Sequence, residues 1–403
     1  MPAHALAETP EALVKQALQR NPELNFFVAE IAAAKGAVRT AGTLRNPELS
    51  SEVGYKNSRD NSGGASGDGA ILALSFSQTF EYPGRIALRK AIANHDVELA
   101  ELHLQQFRLT LAARVRTLAY SISSAEEKSV AAREVSSRFQ ALSDVLAQRP
   151  AAGVTPQLEA RIIDANTLAF RRQEREAGLA LAIALAELNQ LCGRPAETQL
   201  KITEAKVEFS AASLPQLLNA ARANAFDIRI RQVELAQHGF KVALSKNERF
   251  PAIAVGPFYS METAIDREQR AGLGISLPLP LWDRNLGNIA TSKARQQQAE
   301  ASLAMTEREV ERRVAQNAAI LTAKRTEIDR LKENELAKFR DAAETADRNY
   351  QLGAVPLTIY VETQKQYLEL VSTLTDLQKD ALQAAQELEI LTGLKLYGEE
   401  SQR

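Results

Sequence analysis

The sequence holds a single cysteine, Cys192, in 403 residues. No disulfide can close within the chain, and no cysteine metal cluster can form. Cys192 lies between Leu191 and Gly193 at the end of a helical pattern, where a buried structural thiol is expected. Long apolar runs are also missing. The longest near a helix, Ala177 to Ala186, is about half of the ~20 residues that a membrane-spanning helix needs. The start of the chain has neither a basic region nor an apolar core, so no complete signal peptide is legible. Ala3-His4-Ala5-Leu6-Ala7 resembles the small-residue end of one, which leaves a removed or truncated signal open. No cysteine near it offers a site for a lipid anchor.

Patterns that carry chemistry are scarce. HExxH, CxxC, phosphate-loop and nucleophile-triad arrangements are missing. The four histidines are His4, His95, His103 and His238. His95 and His103 share a helix face but lie two turns apart, too far to hold one metal without help. No catalytic residue, resident metal or cofactor is expected. The formal net charge is −1, which provides no basic footprint and excludes nucleic acid as a partner. Aromatic residues make up only 5%.

Ala, Leu, Glu, Gln, Lys and Arg dominate instead, a composition that favours long helices. Residues 9–45 read as a helix, with Thr9 as cap and Pro10 at its first position. Asn46-Pro47 stops it. Long patterns follow from about Arg85 to Ala147 and from Pro156 to Leu191. A further one of roughly sixty residues, about 90 Å at ~1.5 Å per residue, starts near Gly287. Steps of four and three along Val310, Val314, Asn317, Leu321, Lys324, Ile328 and Leu331 are coiled-coil spacing with polar residues on the seam.

Two breaks punctuate these helices, Gly153-Val154-Thr155-Pro156 and Asn349 to Pro356. Gly353 is suited to end a helix with positive φ, and Pro356 to start the next. The two breaks belong to an internal repeat. At an offset of 204, Leu13, Ala17, Glu30, Val38, Arg45, Pro47 and Tyr55 meet Leu217, Ala221, Glu234, Val242, Arg249, Pro251 and Tyr259. At an offset of 200, Gly153, Pro156, Glu187, Leu188, Leu191 and Gly193 meet Gly353, Pro356, Glu387, Leu388, Leu391 and Gly393. The expected units are 1–204, with its tip at 148–156, and 205–403, with its tip at 349–356.

Each unit also contains a pair of strand patterns, expected at 48–58 and 69–81, then at 251–262 and 271–282. Leu72, Leu74 and Phe76 share one face; Leu273, Ile275, Leu277 and Leu279 share another, alternating with small or polar residues. Such alternation suits a lipid-facing barrel strand, or a soluble sheet packed on one face. Isolated hairpins leave open edges, and closure into a barrel with other subunits removes them.

The order helix, strand, loop, strand, long helix, tip, helix, occurring twice, resembles the TolC family of outer-membrane efflux proteins. Arg45-Asn46-Pro47 and Arg249-Phe250-Pro251 lead into the strands. Ser75 to Phe80 and Ser276 to Asp283 end them, and Tyr350 to Gly353 forms the tip. Phe80-Glu81-Tyr82-Pro83-Gly84-Arg85 and Leu281-Trp282-Asp283-Arg284-Asn285-Leu286-Gly287 resemble the branch serving heavy-metal exporters of the resistance-nodulation-division type. The resemblance implies a mostly α protein with a small β part. It implies a homotrimer whose chains contribute four strands each to a barrel in outer-membrane lipid, continued by an α-helical tunnel in the periplasm. It also implies a periplasmic adaptor and an inner-membrane pump as partners. The expected function is an exit duct for metal cations such as cobalt, nickel, zinc or cadmium. The alternatives are the same duct for drugs or other small molecules, and a soluble coiled-coil scaffold.

The resemblance points to Gly153, Val154, Gly353, Ala354 and Val355 as adaptor-docking tips. It points to Glu362 as part of an acidic ring at the periplasmic gate, with Asp164 as a second candidate on the first hairpin. The family's other acidic position is Ile359 here, a departure from a double ring. If the strand face meets lipid, replacing Leu277 by Arg adds about 2–4 kcal/mol near the midplane. Impaired assembly in membranes is the expected outcome, and normal trimers would contradict it.

Overall fold

The computed structural model describes residues 6–59, 65–147, 154–203, 207–210, 212–264, 266–331 and 333–399. In chain order the elements are β1 (Leu6–Glu8), α1 (Pro10–Arg20), α2 (Glu23–Ala41), β2 (Glu48–Arg59), β3 (Ala65–Phe80), α3 (Arg85–Ala147) and α4 (Val154–Leu191). Then come β4 (Leu200–Ile202), β5 (Val207–Phe209), α5 (Leu214–Asn224), α6 (Phe226–Asn247), β6 (Ile253–Thr263) and β7 (Arg267–Ser276). The last described elements are α7 (Leu286–Arg330), α8 (Glu333–Gln351), α9 (Leu357–Thr392) and β8 (Tyr397–Glu399).

Two expected helices are divided. The pattern over 9–45 breaks at Asn21, held extended ahead of Pro22, because a residue before proline is pushed out of the helical region. The break is used: Asn21 donates to the Leu191 carbonyl at 3.2 Å and caps Glu23 N–H at 2.8 Å. Asn224 does the same in the second half, donating to the Thr392 carbonyl at 2.8 Å. The roughly sixty-residue helix expected from Gly287 is likewise two, α7 and α8. Its first part ends where Leu331 N–H reaches both the Glu327 and Ile328 carbonyls at 3.1 Å, the tightening typical of a helix end.

The chain forms two compact units. The first comprises Met1–Phe26, His103–Ile228 and Glu307–Arg403, and is helical with short strands. Here Arg114 pairs with Glu187 at 2.7 Å, and Arg313 pairs with the equivalent Glu387 and with Asp227. The seam residues Val310, Val314 and Leu321 are buried, as are Leu111, Val115 and Ile122 of α3. Two small sheets hold the ends of the chain against the connector between the halves. β1 pairs in parallel with β4, and β8 pairs antiparallel with β5. Arg116 clasps this region by donating to Glu11 at 2.8 Å and to the Tyr397 hydroxyl at 3.0 Å.

A second core lies where α3, α4, α8 and α9 meet. Fully buried Phe139 stacks on Tyr360 at 5.0 Å between ring centroids and tilts against Phe170 at 4.7 Å. Tyr350 stacks on Tyr360 in turn at 5.0 Å. Ile163, Ala343, Leu357 and Leu368 complete it.

The second unit comprises Phe27–Leu102 and Arg229–Thr306. It holds one antiparallel sheet in the order β2-β3-β6-β7. The two expected hairpins are therefore joined, because β3 pairs with β6. The bounds also shift. β3 begins at Ala65, inside the segment read as loop, and β7 runs from Arg267 to Ser276 rather than 271–282. Pro278 and Pro280 have no N–H to give a ladder and so end β7 early.

Phe139→Ala is expected to destabilise the first unit by about 3–5 kcal/mol, the usual cost of emptying a buried aromatic site. A shift in the denaturant midpoint measures it. A second expectation concerns acid. Burial raises the Glu11 carboxyl, but the Arg116 hydrogen bond and charge outweigh it and hold the group below its ordinary value. Its stabilising contribution is then present at neutral pH and is lost as pH falls through that lowered value. Glu11→Gln should flatten the acid limb of a stability-against-pH curve.

Candidate channel elements

The sheet sorts its residues by face. Directly paired residues point the same way, so the register gives rows: Val53, Leu72, Met261 and Gln269; then Ser51, Leu74, Tyr259 and Ala271. Leu49 pairs with Phe76, and Ile275 with Val255, on that same face. Leu273 is 76% exposed and Ile275 74%. Leu72, Leu74, Phe76, Val53 and Tyr55 are exposed as well. The chain alone leaves a broad apolar surface uncovered, which marks an interaction site in a folded protein. Leu277 and Leu279 are exposed too, but lie beyond the end of β7.

The opposite face is mostly small and polar, with Ser50, Gly54, Ala73, Ser75, Ser260, Gly272 and Gly274, and Ile71 and Phe258 as its large apolar members. It also carries an ion-pair chain across the strands. Lys56 meets Glu262 at 2.6 Å, Glu262 lies 3.9 Å from Arg270, and Arg270 meets Glu268 at 2.9 Å. One largely apolar face and one polar face on the same sheet would suit a membrane barrel wall.

The strand-flanking motifs converge in a collar. Arg85 donates to the Asn247 side chain and carbonyl, both at 3.0 Å, and to the Phe250 carbonyl at 2.6 Å. Tyr82 stacks on Phe250 at 4.4 Å. Glu81, nearly fully buried, holds Arg89 at 2.7 Å and Arg45 at 3.4 Å. Tyr82, Phe80 and Trp282 present exposed rings beside the sheet, as aromatic residues do at a membrane interface.

At the second tip, Gly353 has φ +73°. Its N–H reaches the Tyr350 carbonyl at 2.9 Å, and Ala354 N–H reaches the Asn349 carbonyl at 2.8 Å. Ala354 is exposed and Val355 half-buried, while Leu352 is 80% exposed. At the first tip, Gly153 lies outside the described residues, and Val154 is the first residue of α4. The gate candidates sit on different helices. Exposed Glu362 on α9 accepts from Gln366 at 3.1 Å. Exposed Asp164 on α4 accepts from the Ser143 hydroxyl at 2.7 Å. His95 pairs locally with Glu98 at 3.0 Å, and no metal-holding cluster of His, Cys, Asp or Glu occurs among the described residues.

A polar seam near the second tip escaped the sequence reading. Tyr360 donates its hydroxyl to Asp347 at 3.1 Å. Gln364, fully buried, donates to the Ala343 carbonyl at 2.7 Å and accepts from Arg138 at 3.2 Å. Burial first, and Asp347 second, push the Tyr360 hydroxyl far above its ordinary value, so it stays a donor. The available signal was a Tyr and a Gln four residues apart on an otherwise apolar helix face.

A model of the outer membrane efflux protein family matches residues 13–194 and again 217–394. The chain belongs to that family. The cobalt-zinc-cadmium resistance protein CzcC of Cupriavidus metallidurans is 23% identical over 349 residues, which span 86% of this chain and 80% of that protein. The fold is that of solved outer-membrane channels. The Campylobacter jejuni CmeC channel superposes with a TM-score of 0.75 at 16% identity, covering 98% of this chain and 87% of that one. The open state of the Neisseria gonorrhoeae MtrE channel gives 0.71 at 16% identity, covering 98% and 91%. CusC, described as forming a transmembrane channel, gives 0.73 at 17% identity, covering 97% and 93%.

If the uncovered apolar face meets lipid, Leu273 is a sharper test than Leu277, since it lies within β7. Leu273→Arg should cost about 2–4 kcal/mol near the midplane and deplete the protein from outer membranes. Gly274→Ser, on the polar face, should leave its level unchanged.

Proposed function

We propose that this outer-membrane efflux channel is the exit duct of a tripartite system that exports heavy-metal cations. The observation that carries the metal assignment is the match to a cobalt-zinc-cadmium resistance protein over most of both chains. Three copies, each giving four strands, would form the barrel wall, with the helices continuing as a periplasmic tunnel. The chain is then two copies of one structural unit, 1–204 and 205–403. The channel performs no chemistry. Selection among cations rests with an inner-membrane pump and an adaptor.

The tips Gly153, Val154, Gly353, Ala354 and Val355 are the adaptor-docking ends. The exposed backbone turn at Gly353, with open space where a Cβ would sit, supports this assignment. Glu362, three times over in a trimer, forms an acidic ring at the entrance that favours cations by field strength. Asp164 is the weaker gate candidate, since its carboxylate is tied to Ser143 of a neighbouring helix, whereas Glu362 bonds to Gln366 of its own.

A strain lacking the gene should lose tolerance to cobalt, nickel, zinc or cadmium while keeping its tolerance to a drug panel. Drug sensitivity alone would contradict the metal assignment and leave the duct. Replacing Gly353 by Trp should abolish export with trimers intact. The φ of +73° disfavours any side chain by about 1–2 kcal/mol, too little to unfold a large assembly. Undiminished export by that variant would reject the tip assignment.

A further inference from the structure

We propose that the copies join edge to edge in one register, with Ile275 of β7 opposite Val53 of the partner subunit and Leu273 opposite Tyr55 of the partner subunit. The register rests on the trimeric barrel proposed above. β2 and β7 are the edges of the four-stranded sheet, and neither has a second strand beside it among the described residues. The strand directions alternate, so β7 of one copy runs antiparallel to β2 of another. The two edges are alike in length, twelve residues in β2 and ten in β7. Both carry apolar residues on the same face of the sheet. A second copy is therefore the occupant that continues both the ladder and the apolar surface.

Closing a sheet requires the strands to tilt, and tilt requires a stagger between copies. Continuing the row of Val53, Leu72, Met261 and Gln269 straight on would set Gln269 opposite Val53 of the partner subunit. Strands would then stand upright. Keeping the apolar face continuous restricts the stagger to even steps, because an odd one turns every side chain over. Take twelve strands about 4.8 Å apart, rising about 3.3 Å per residue. Steps of two, four, six and eight residues per copy then tilt the strands by roughly 20°, 35°, 45° and 55°, against the usual ~35–45°. Steps of four and six remain.

Length sets the direction. A step of four towards the start of β2 leaves only residues 48–51 facing β7, whereas the same step towards its end gives all ten β7 residues a partner at 50–59. Charge then chooses the size. A step of four sets Arg270 opposite Lys56 and Arg267 opposite Arg59, two like-charge pairs, each destabilising. A step of six sets Lys56 opposite Gly272, Gly54 opposite Gly274 and Arg59 opposite Gln269. No like-charge pair then remains in the overlap of 52–59 with 269–276. Val53 and Tyr55 meet Ile275 and Leu273 on the apolar face.

Cysteine pairs test the register in outer membranes under mild oxidation. Native Cys192 is buried and serves as background. Val53→Cys with Ile275→Cys tests the proposed row, and Gly54→Cys with Gly274→Cys tests the next. Alternate rows of an antiparallel ladder differ in spacing, and one of the two suits a disulfide. Val53→Cys with Leu273→Cys tests the step of four. The expected result is a shift of the chain to covalent trimers on a non-reducing gel for one or both of the first two pairs. The third pair should stay monomeric, because residues displaced by two lie about 7–8 Å away, beyond disulfide reach. Cross-linking of the third pair alone overturns the register. So does its absence from both proposed rows while native gels show intact trimers. A wild-type chain that forms no trimer on native gels overturns the barrel beneath it.

Discussion

Backbone N–H and C=O groups placed in hydrocarbon must all find partners within the protein. A four-stranded sheet with two open edges cannot meet that condition alone. Nor is it at rest in water, because one face is lined by Leu49, Val53, Leu72, Leu74, Leu273 and Ile275, all exposed. The sheet is incomplete in either solvent until other copies supply the missing edges. Much of the second unit follows from that constraint. The β3–β6 ladder joins the two halves of the repeat into one wall. The Arg85 clasp on Asn247 and Phe250 fixes the chain where it leaves that wall. The ion-pair chain of Lys56, Glu262, Arg270 and Glu268 sits on the face opposite the leucines, while Asp68 and Arg267 lie on the leucine face near the starts of β3 and β7.

The first unit meets a different demand. Helices that line a water-filled duct bury little on one side, so their packing must be concentrated elsewhere. It is concentrated in Ala- and Leu-rich seams and in the aromatic stack of Tyr350, Tyr360, Phe139 and Phe170. One buried polar side chain of this unit is paired across helices: Gln364, with Ala343 and Arg138. Each half repeats the same fastenings: an Arg–Glu pair between helices, and an Asn side chain tied to the carbonyl of a distant helix end.

Fold class and element order were legible because they depend on local signals. Strict alternation, proline stops and Gly-Pro breaks each act within a few residues. The joining of the hairpins was not legible, since β3 and β6 lie nearly two hundred residues apart and a backbone ladder leaves no periodic mark in the sequence. The split at Asn21 was missed because the apolar spacing continues across it. Pro22 pushes Asn21 out of the helix, and the Asn21 bond to Leu191 fixes the bend. The end of β7 was misjudged by following Leu277 and Leu279, although Pro278 and Pro280 rule out a ladder. Of the site residues, the exposed strand positions were read from period alone. Tyr360 and Gln364 were not, because a polar group inside a seam shows its partner only in three dimensions.

The central claim is that the sheet has one face in lipid and one in water. Nitroxide labels at Leu273 and Gly274, in protein reconstituted from outer membranes, test it by collision with oxygen and with a water-soluble nickel chelate. The account predicts that the label at 273 is quenched by oxygen and shielded from nickel, with the reverse at 274. Equal access of nickel to both positions would contradict it.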